Sequence, residues 1–557
     1  MSGQPGGEGA PAAQRCGGRR RSIGPCDVAK RRARLFAAAC CILVLAAAQL
    51  AAHASHALTP PPAIEAVHVV APELPETRRL GEVVAADGDL LAISAPTDGD
   101  DALDPGRVMI MRLSLNARGT LEVHPDRTLF SHAPTAGDHF GASLAAKRRC
   151  ADAGGADLVA VGADRANAGA GEGGDVRGDM TSDMASGMTS DMASGMTSDM
   201  ASDMAGAVEV FERAVEGASW RLAARLSART PEPAASFGAA IAFDQGGSAR
   251  LVVGAPRHDA VGAFDAGRVH VFRRLTDSRD AGTGARWTEV ATITPPSPRL
   301  SMWFGSAVAI EGDLLAIASP GDDVATAGSR EPVHAAGAVY IYRRTAVAAT
   351  ASERYRLERV LTAPSPEPAA WFGLSIDLDD GVLAVGAPRA RDQASGLLPT
   401  GCVYLFDLAL AEAMPKRIDP PSGVQTYGFG QSLALRDGVL VIGAPSTDLL
   451  KRSAPDGTLD DAGAAWTYTL GGARFTGALN PPKPLPSGLF GASCAIGAVH
   501  APAPTRPDEP TDAIGLAIVG HRFVEEESIE PSRGAAIFVV PRGTEGVAIA
   551  PPHAAPP

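Results

Sequence analysis

This chain of 557 residues is poor in most of the residue patterns that announce chemistry. It has seven cysteines, and Cys16, Cys26, Cys40 and Cys41 fall in or before an early apolar run. Only Cys150, Cys402 and Cys494 lie beyond it, an odd number with no CxxC or Cys/His spacing. That excludes a disulfide framework or a zinc finger and leaves small core residues. There is no G-x-S-x-G elbow, no HExxH, no phosphate-binding loop and no Cys–His signature. His132, His139, His258, His270, His334 and His521 are scattered through the sequence and read as packing or surface groups without shared partners. No Asn-x-Ser/Thr sequon occurs, so N-glycosylation is not expected. The net charge is −13 and the pI near 5.4, with the basic clusters near the N-terminus. A nucleic-acid surface needs clustered Lys and Arg, so that class is disfavoured.

What the chain does have is a repeat. Phe-Gly pairs stand at Phe140-Gly141, Phe237-Gly238, Phe304-Gly305, Phe372-Gly373, Phe429-Gly430 and Phe490-Gly491, with a weaker copy at Leu80-Gly81. Each is followed by an apolar run ending in Gly-Ala-Pro or a variant, clearest in LVVGAP (251–256), LAVGAP (383–388) and LVIGAP (440–445). A third element opens on Gly and alternates β-branched and aromatic residues, as in GRVHVF (267–272), GAVYIY (337–342) and GCVYLF (401–406). A fourth, such as EVATITPP (289–296), precedes most Phe-Gly pairs. The runs are too short for helices and are bounded by Gly, Pro and Asp, so each unit reads as four short strands. Seven units predict an all-β fold, a seven-bladed β-propeller whose blades bury their faces on one another.

The grammar has physical causes. Glycine beside Phe permits a positive φ or a close backbone approach, and the Phe supplies a large apolar body between blades. Proline after Gly-Ala ends the ladder by removing a donor. Asp98, Asp259, Asp322 and Asp448 follow that proline and are expected to cap the loop through backbone amides. Both Ile64–Ala71 and the C-terminal GVAIAPP (546–552) match the fourth element. The N-terminal segment is the preferred closing strand, because joining the two chain ends in one sheet locks the ring.

With these copies in hand the chain resembles the FG-GAP repeat family, best known from the N-terminal propeller of integrin α subunits. It is most similar to the simpler secreted or membrane-anchored members without integrin legs. WFGSAVAIEGDLLAIASPGDD (303–323) and WFGLSIDLDDGVLAVGAP (371–388) carry the likeness, which extends over about residues 64–552. Integrin-type repeats often hold Ca²⁺ in a D-x-D-x-D-G-x-x-D loop between the first two strands, where alternate carboxylates converge. Here those stretches, AFDQGGSARL (242–251), AIEGDLL (309–315), DLDDGVL (377–383) and LRDGVL (435–440), are short and carboxylate-poor. They read as tight Asp-Gly hairpin turns, so the calcium site is not inherited. The remaining calcium candidates are Asp98, Asp100, Asp101 and Asp104 in TDGDDALDPG (97–106), for which a solvated acidic loop is the plainer reading.

Two segments stand apart from the repeat. Residues 1–34 are basic, and 35–57 contain the apolar LFAAACCILVLAAAQLAA (35–52) followed by small residues suited to signal-peptidase cleavage. A cleaved signal peptide and an uncleaved anchor are both compatible, and both place the propeller outside the cytosol. Residues 166–205 hold near-identical copies of GMTSDMAS and read as a disordered insert in the second blade. Arg177-Gly178-Asp179 near its start is a tripeptide that many integrins bind, but the composition alone suffices to produce one. Residues 553–557 form a short tail.

Three functions fit. The first is a non-catalytic recognition or adhesion module, with an extracellular protein or glycan as partner and no cofactor. The second is a hydrolase or lyase using loop carboxylates at the channel mouth. The third is a structural propeller displaying the insert. An enzyme should gather ionisable groups with shifted pKa values in the channel, whereas a recognition module should expose an apolar or aromatic patch on one rim.

Overall fold

The computed structural model describes residues 63–540 apart from connecting segments, the longer of which are 71–79, 97–105, 167–203, 276–285, 346–352, 393–398, 451–457, 501–512 and 522–533. The chain divides into Met1–Pro60, outside the described residues, and Pro61–Pro557, which contains the fold. That fold is seven antiparallel four-stranded blades, with no α-helix among the described residues. In blade 4 the strands run Val308–Glu311, Leu314–Ser319, Ala338–Thr345 and Arg354–Leu361, each paired with the next. The inner strands of the other blades begin at Val84, Phe140, Ala240, Ile376, Ser432 and Ser493. Each touches the inner strand of the next blade all the way round, which makes the ring of a propeller.

The second strands explain why the apolar runs are continuous rather than alternating. RLVVGA (250–255), VLAVGA (382–387) and VLVIGA (439–444) are buried at every residue. A strand covered on both faces by neighbouring blades has no solvent side to reserve for polar residues. One cluster joins Val252, Val269 and Val271 of blade 3 to Phe304, Ile310 and Ile317 of blade 4. Each fully buried side chain of this size contributes about 1.5–3 kcal/mol. The seams between blades are therefore the core.

The Phe-Gly pairs at Phe237, Phe304, Phe372, Phe429 and Phe490 staple their seams. Phe304 N–H donates back to Ala266 O of blade 3 at 3.2 Å, while Gly305 N–H donates to Ala318 O of its own blade at 2.8 Å. All six phenylalanines are at most 1 % exposed. Phe304 meets Tyr340 edge-on at 5.4 Å, and Phe429 tilts against Trp466 at 5.4 Å. Gly305 has φ +93°, and a Cβ on Gly254 would lie 2.0 Å from Gly305 O. Glycine is thus required on both sides of the seam. Where the repeat carries serine two residues after Phe-Gly, its hydroxyl tightens the next seam, as Ser375 Oγ does to Gly430 O at 2.7 Å and Ser432 Oγ to Gly491 O at 2.7 Å.

The worn copy obeys the same rule. Leu80 is 1 % exposed, Gly81 N–H donates to Ser94 O at 2.9 Å, and a Cβ on Gly520 of blade 7 would lie 2.3 Å from Gly81 O. The ring closes through the N-terminal segment: His68–Val70 is the fourth strand of blade 7, with His68 opposite Ile537 and Val70 opposite Ala535. Ile64–Ala71 does not act as one strand, however. Ala63–Ile64 runs parallel to the outer strand of blade 6, so the segment spans two blade edges before the first repeat begins. GVAIAPP (546–552) lies outside the described residues, as do the leader and the tail.

The insert in blade 2 leaves and returns at one backbone bond. Gly206 N–H donates to Ala166 O at 2.9 Å, the bond that Gly267 makes to His258 O and Gly337 to Asp322 O in shorter loops. Residues 167–203, including Arg177-Gly178-Asp179, lie outside the described residues.

Candidate functional site

Two faces of the propeller carry different chemistry. The first is formed by the hairpins joining inner and second strands, at one mouth of the channel. Asp380-Gly381 and Asp437-Gly438 are two-residue turns with φ of 49° and 70°, and 51° and 72°, the double left-handed geometry of a tight hairpin. Carboxylates at the ends of inner strands reach the next blade's turn. Asp244 accepts from Gly312 N at 2.8 Å, Glu311 from Asp380 N at 2.9 Å and Gly381 N at 3.0 Å, and Asp379 from Asp437 N at 2.7 Å. Asp87 does the same for Arg148 N at 2.7 Å. Blade 6 has Arg436 at this place, and its Nη2 instead donates across the ring to Gln245 Oε1 of blade 3 at 2.7 Å, with Asp87 Oδ1 of blade 1 at 3.7 Å.

Asp377 lies two residues before Asp379 on the inner strand of blade 5. Its carboxylate accepts from Leu435 N at 2.7 Å and Leu378 N at 2.9 Å. Burial pushes its pKa up to about 6, against those two bonds and the pull of Arg436. Burial also raises Asp379. Ionisable groups therefore do converge at this mouth, but they accept from backbone amides, of the neighbouring blade at Leu435 and Asp437 and of their own strand at Leu378. They act as staples between inner strands.

The histidines depart from expectation at one point. His258 and His270 share a cavity with Glu232, Thr230 and Phe237, where the connection from blade 2 meets blade 3. It encloses about 10 Å³, close to the smallest space that holds a water molecule. His258 Nε2 lies 3.0 Å from Glu232 Oε2, and burial, with Arg268 and His270 nearby, lowers its pKa to about 4. His270 Nδ1 meets Glu289 Oε1 at 2.7 Å, while its buried Nε2 finds no partner among the described residues. The corresponding pair in blade 4 is Asp322 and Tyr340, joined by a hydrogen bond of 2.5 Å. An imidazole is shorter than a phenol, and the small cavity is the difference in reach. Register within the repeat could have revealed this pairing, since His258 and His270 occupy the slots of Asp322 and Tyr340.

The other histidines keep separate partners. His139 faces Asp164 at 3.4 Å and the exposed His334 faces Asp323 at 3.1 Å. The backbone N–H of His132 donates to Glu209 at 3.0 Å. The side chain of His521 lies outside the described residues.

The opposite face is built from the loops after Gly-Ala-Pro and the connections between blades. Asp259 and Asp448 cap these loops as expected, accepting from Asp265 N at 2.8 Å and Asp461 N at 3.0 Å. Asp322 does not. It takes the Tyr340 hydroxyl and Arg299, and Asp323 caps in its place by accepting from Ala335 N at 2.9 Å. Asp98, with the calcium candidates Asp100, Asp101 and Asp104, lies outside the described residues. Among the described residues no three His, Cys, Asp or Glu side chains group as metal ligands.

This face also exposes apolar surface. Val261 is fully exposed, Phe264 69 % and Leu300 67 %. Ser301 N–H donates to Phe264 O at 2.9 Å and Trp303 N–H to Asp265 O at 3.1 Å, so the blade 3 loop and the next connection form one strip. Trp303 meets Trp371 edge-on at 6.4 Å, and the Arg389 guanidinium sits 3.5 Å over the Trp371 ring. Spacing alone did not mark this strip, because its members come from three blades.

The remaining features are structural. Cys150 and Cys402 are buried and Cys494 partly so, none of the three is in a disulfide, and burial pushes the Cys402 and Cys494 thiols up to about 12. Among the described residues no helix is long and apolar enough to cross a membrane.

One comparison with known protein families agrees with this geometry. A family model described as the FG-GAP repeat matches residues 287–342, from the outer strand of blade 3 through the third strand of blade 4. No curated protein matches. Among solved structures, Sqt1 of Chaetomium thermophilum aligns over 82 % of this chain and 84 % of its own, at 12 % identity and a TM-score of 0.35, a likeness too slight to carry an argument. The matched repeat, the staple that recurs at Phe237, Phe304, Phe372, Phe429 and Phe490, and the seven-blade ring support a β-propeller of the FG-GAP repeat type.

Proposed function

We propose that the protein is a non-catalytic recognition or adhesion module that binds an extracellular protein or glycan through loops on one propeller face. The observation that carries this reading is the apolar strip of Val261, Phe264 and Leu300 on the Gly-Ala-Pro loop face. Isolated exposed apolar residues are ordinary, but a contiguous group flanked by two tryptophans marks a contact surface. The FG-GAP propeller is in general a scaffold for binding, which agrees with it. The basic flank and apolar run of residues 19–52 support secretion or a signal anchor.

A second reading, a hydrolase or lyase at the channel mouth, draws on the raised pKa of Asp377 beside Asp379 and Arg436. It is the weaker one, because both oxygens of Asp377 accept backbone amides that hold the carboxylate to the strands of blades 5 and 6. The test is a binding screen of the full chain against surface proteins and glycans, with and without Ca²⁺. Saturable binding that Phe264→Asp abolishes is expected. Binding that ignores Phe264 but requires Asp377, or turnover lost in Asp377→Asn, would favour the channel.

A further inference from the structure

The residue before each Phe of the Phe-Gly pair takes a left-handed backbone: His139, Ser236, Trp303, Trp371 and Leu489 have φ between 47° and 56°. Gly428 fills the same place in blade 6 at 76°. A residue with a Cβ pays roughly 1–2 kcal/mol there, so glycine would suit the backbone best. Tryptophan is among the least suited, yet it stands at two successive junctions. Trp220, Trp287 and Trp466 are at most 8 % exposed, whereas Trp303 and Trp371 remain partly exposed. Backbone demand does not explain them and core packing does not fully use them. Side chains held in a strained conformation at a surface point to a contact.

Their surroundings indicate what kind. Arg389 lies on Trp371, Arg391 is exposed two residues further along the same loop, and Arg257 is exposed in the blade 3 loop that carries Phe264. Among the described residues none of these three guanidiniums has a carboxylate within ion-pair distance. The carboxylates of the same strip are turned onto backbone amides: Asp259 onto Asp265 N, Asp323 onto Ala335 N and Glu367 onto Arg391 N at 2.9 Å. A guanidinium stacked on an indole keeps its in-plane donors available for a carboxylate. Exposed Phe, Trp and Arg beside aliphatic residues is the composition of a protein-contact core rather than of a sugar platform.

We propose that the strip from Phe264 through Trp303 and Trp371 to Arg389 docks an acidic peptide segment with apolar side chains, presented by a protein partner. The proposal rests on the recognition reading above and narrows it to one strip and one partner class. Apolar side chains of the partner cover Phe264 and Leu300, and its carboxylates meet Arg389, Arg257 and Arg391.

The test uses the full-length chain and a fluorescein-labelled ten-residue peptide alternating Glu and Leu, with a Lys–Leu peptide and hyaluronan as comparisons. Saturable anisotropy with a shift in indole emission is expected for the Glu–Leu peptide alone, since only Trp303 and Trp371 are accessible. Arg389→Glu should weaken it at least tenfold. Trp371→Gly should do the same with an unchanged melting temperature, because glycine accepts a φ of +55°. Arg356→Glu, on an exposed outer-strand side chain, should leave binding intact. Equal binding of the Lys–Leu peptide, binding of hyaluronan in its place, or no binding of the Glu–Leu peptide would each overturn the proposal. If a partner found in the broader screen still binds Arg389→Glu normally, the strip is not its site while the recognition reading stands. If that screen yields nothing, the recognition reading fails as well.

Discussion

The two faces of this propeller dispose of polar and apolar groups in opposite ways. On the hairpin face Asp87, Asp244, Glu311 and Asp379 each reach the neighbouring blade's backbone, and Arg436 spans the ring to Gln245. On the loop face carboxylates close their own loops or connections, while Val261, Phe264 and Leu300 are left to solvent. One face ties blades together and the other gains no stability from its apolar groups. Large apolar side chains left to solvent cost solubility and need another reason to be there, which is the ground for proposing recognition on the loop face rather than in the channel.

Both faces depend on seams that must hold first, and the largest expected effect lies there. A Cβ on Gly337 would sit 2.1 Å from Phe372 O, with φ at +89°. Gly337→Ala should cost roughly 4 kcal/mol or more, in the range of severe backbone clashes. Gly471 has no atom within 4 Å of such a Cβ, so Gly471→Ala should be near neutral. Denaturant titration of the two variants decides whether close approach, rather than glycine content, sets stability.

The contrast between faces is sharpened by a second pair. Arg436→Ala removes the bond to Gln245 and the nearby positive charge of Asp87, Asp377 and Asp379. Loss of a charged hydrogen bond should cost about 1.5–3 kcal/mol. Phe264→Ala should change stability by less than about 0.5 kcal/mol, as exposed positions do. Comparable losses in the two would erase the distinction drawn here.

Sequence reasoning reached the fold because the repeat writes its geometry in residue types. Phe-Gly, Gly-Ala-Pro and the third-strand glycine each answer a contact that only those residues satisfy, as Phe304, Gly254 and Gly267 demonstrate. The tight turns at Asp380-Gly381 and Asp437-Gly438 were legible for the same local reason. The split of the N-terminal segment between blades 6 and 7 was not, because two residues of parallel pairing leave no pattern. Nor was the reach of Arg436 to Gln245, which joins residues 191 positions apart through the ring. The Trp303–Trp371–Arg389 strip escaped because each member follows its own blade's local grammar and only closure brings them together.

The smallest effect, and the one that sets the faces directly against each other, is a pair of opposed pH dependences. Asp377 on the hairpin face has its pKa raised by burial to about 6, above the unfolded value near 3.8. The folded state then holds more protons between those limits, so this group's contribution is greatest below pH 4 and is lost as pH rises through 6. His258 on the loop face is lowered by burial to about 4 from 6.5. There the unfolded state holds more protons, so stability falls as pH drops from 6.5 through 4, by on the order of 1–3 kcal/mol. The two slopes partly cancel in the native protein. Asp377→Asn should therefore steepen the loss of stability on acidification, and His258→Gln should flatten or reverse it, in melting curves taken from pH 4 to 7. Parallel curves for native protein and both variants would mean that neither group changes its protonation on folding, and that the burial of both faces counts for less than their geometry implies.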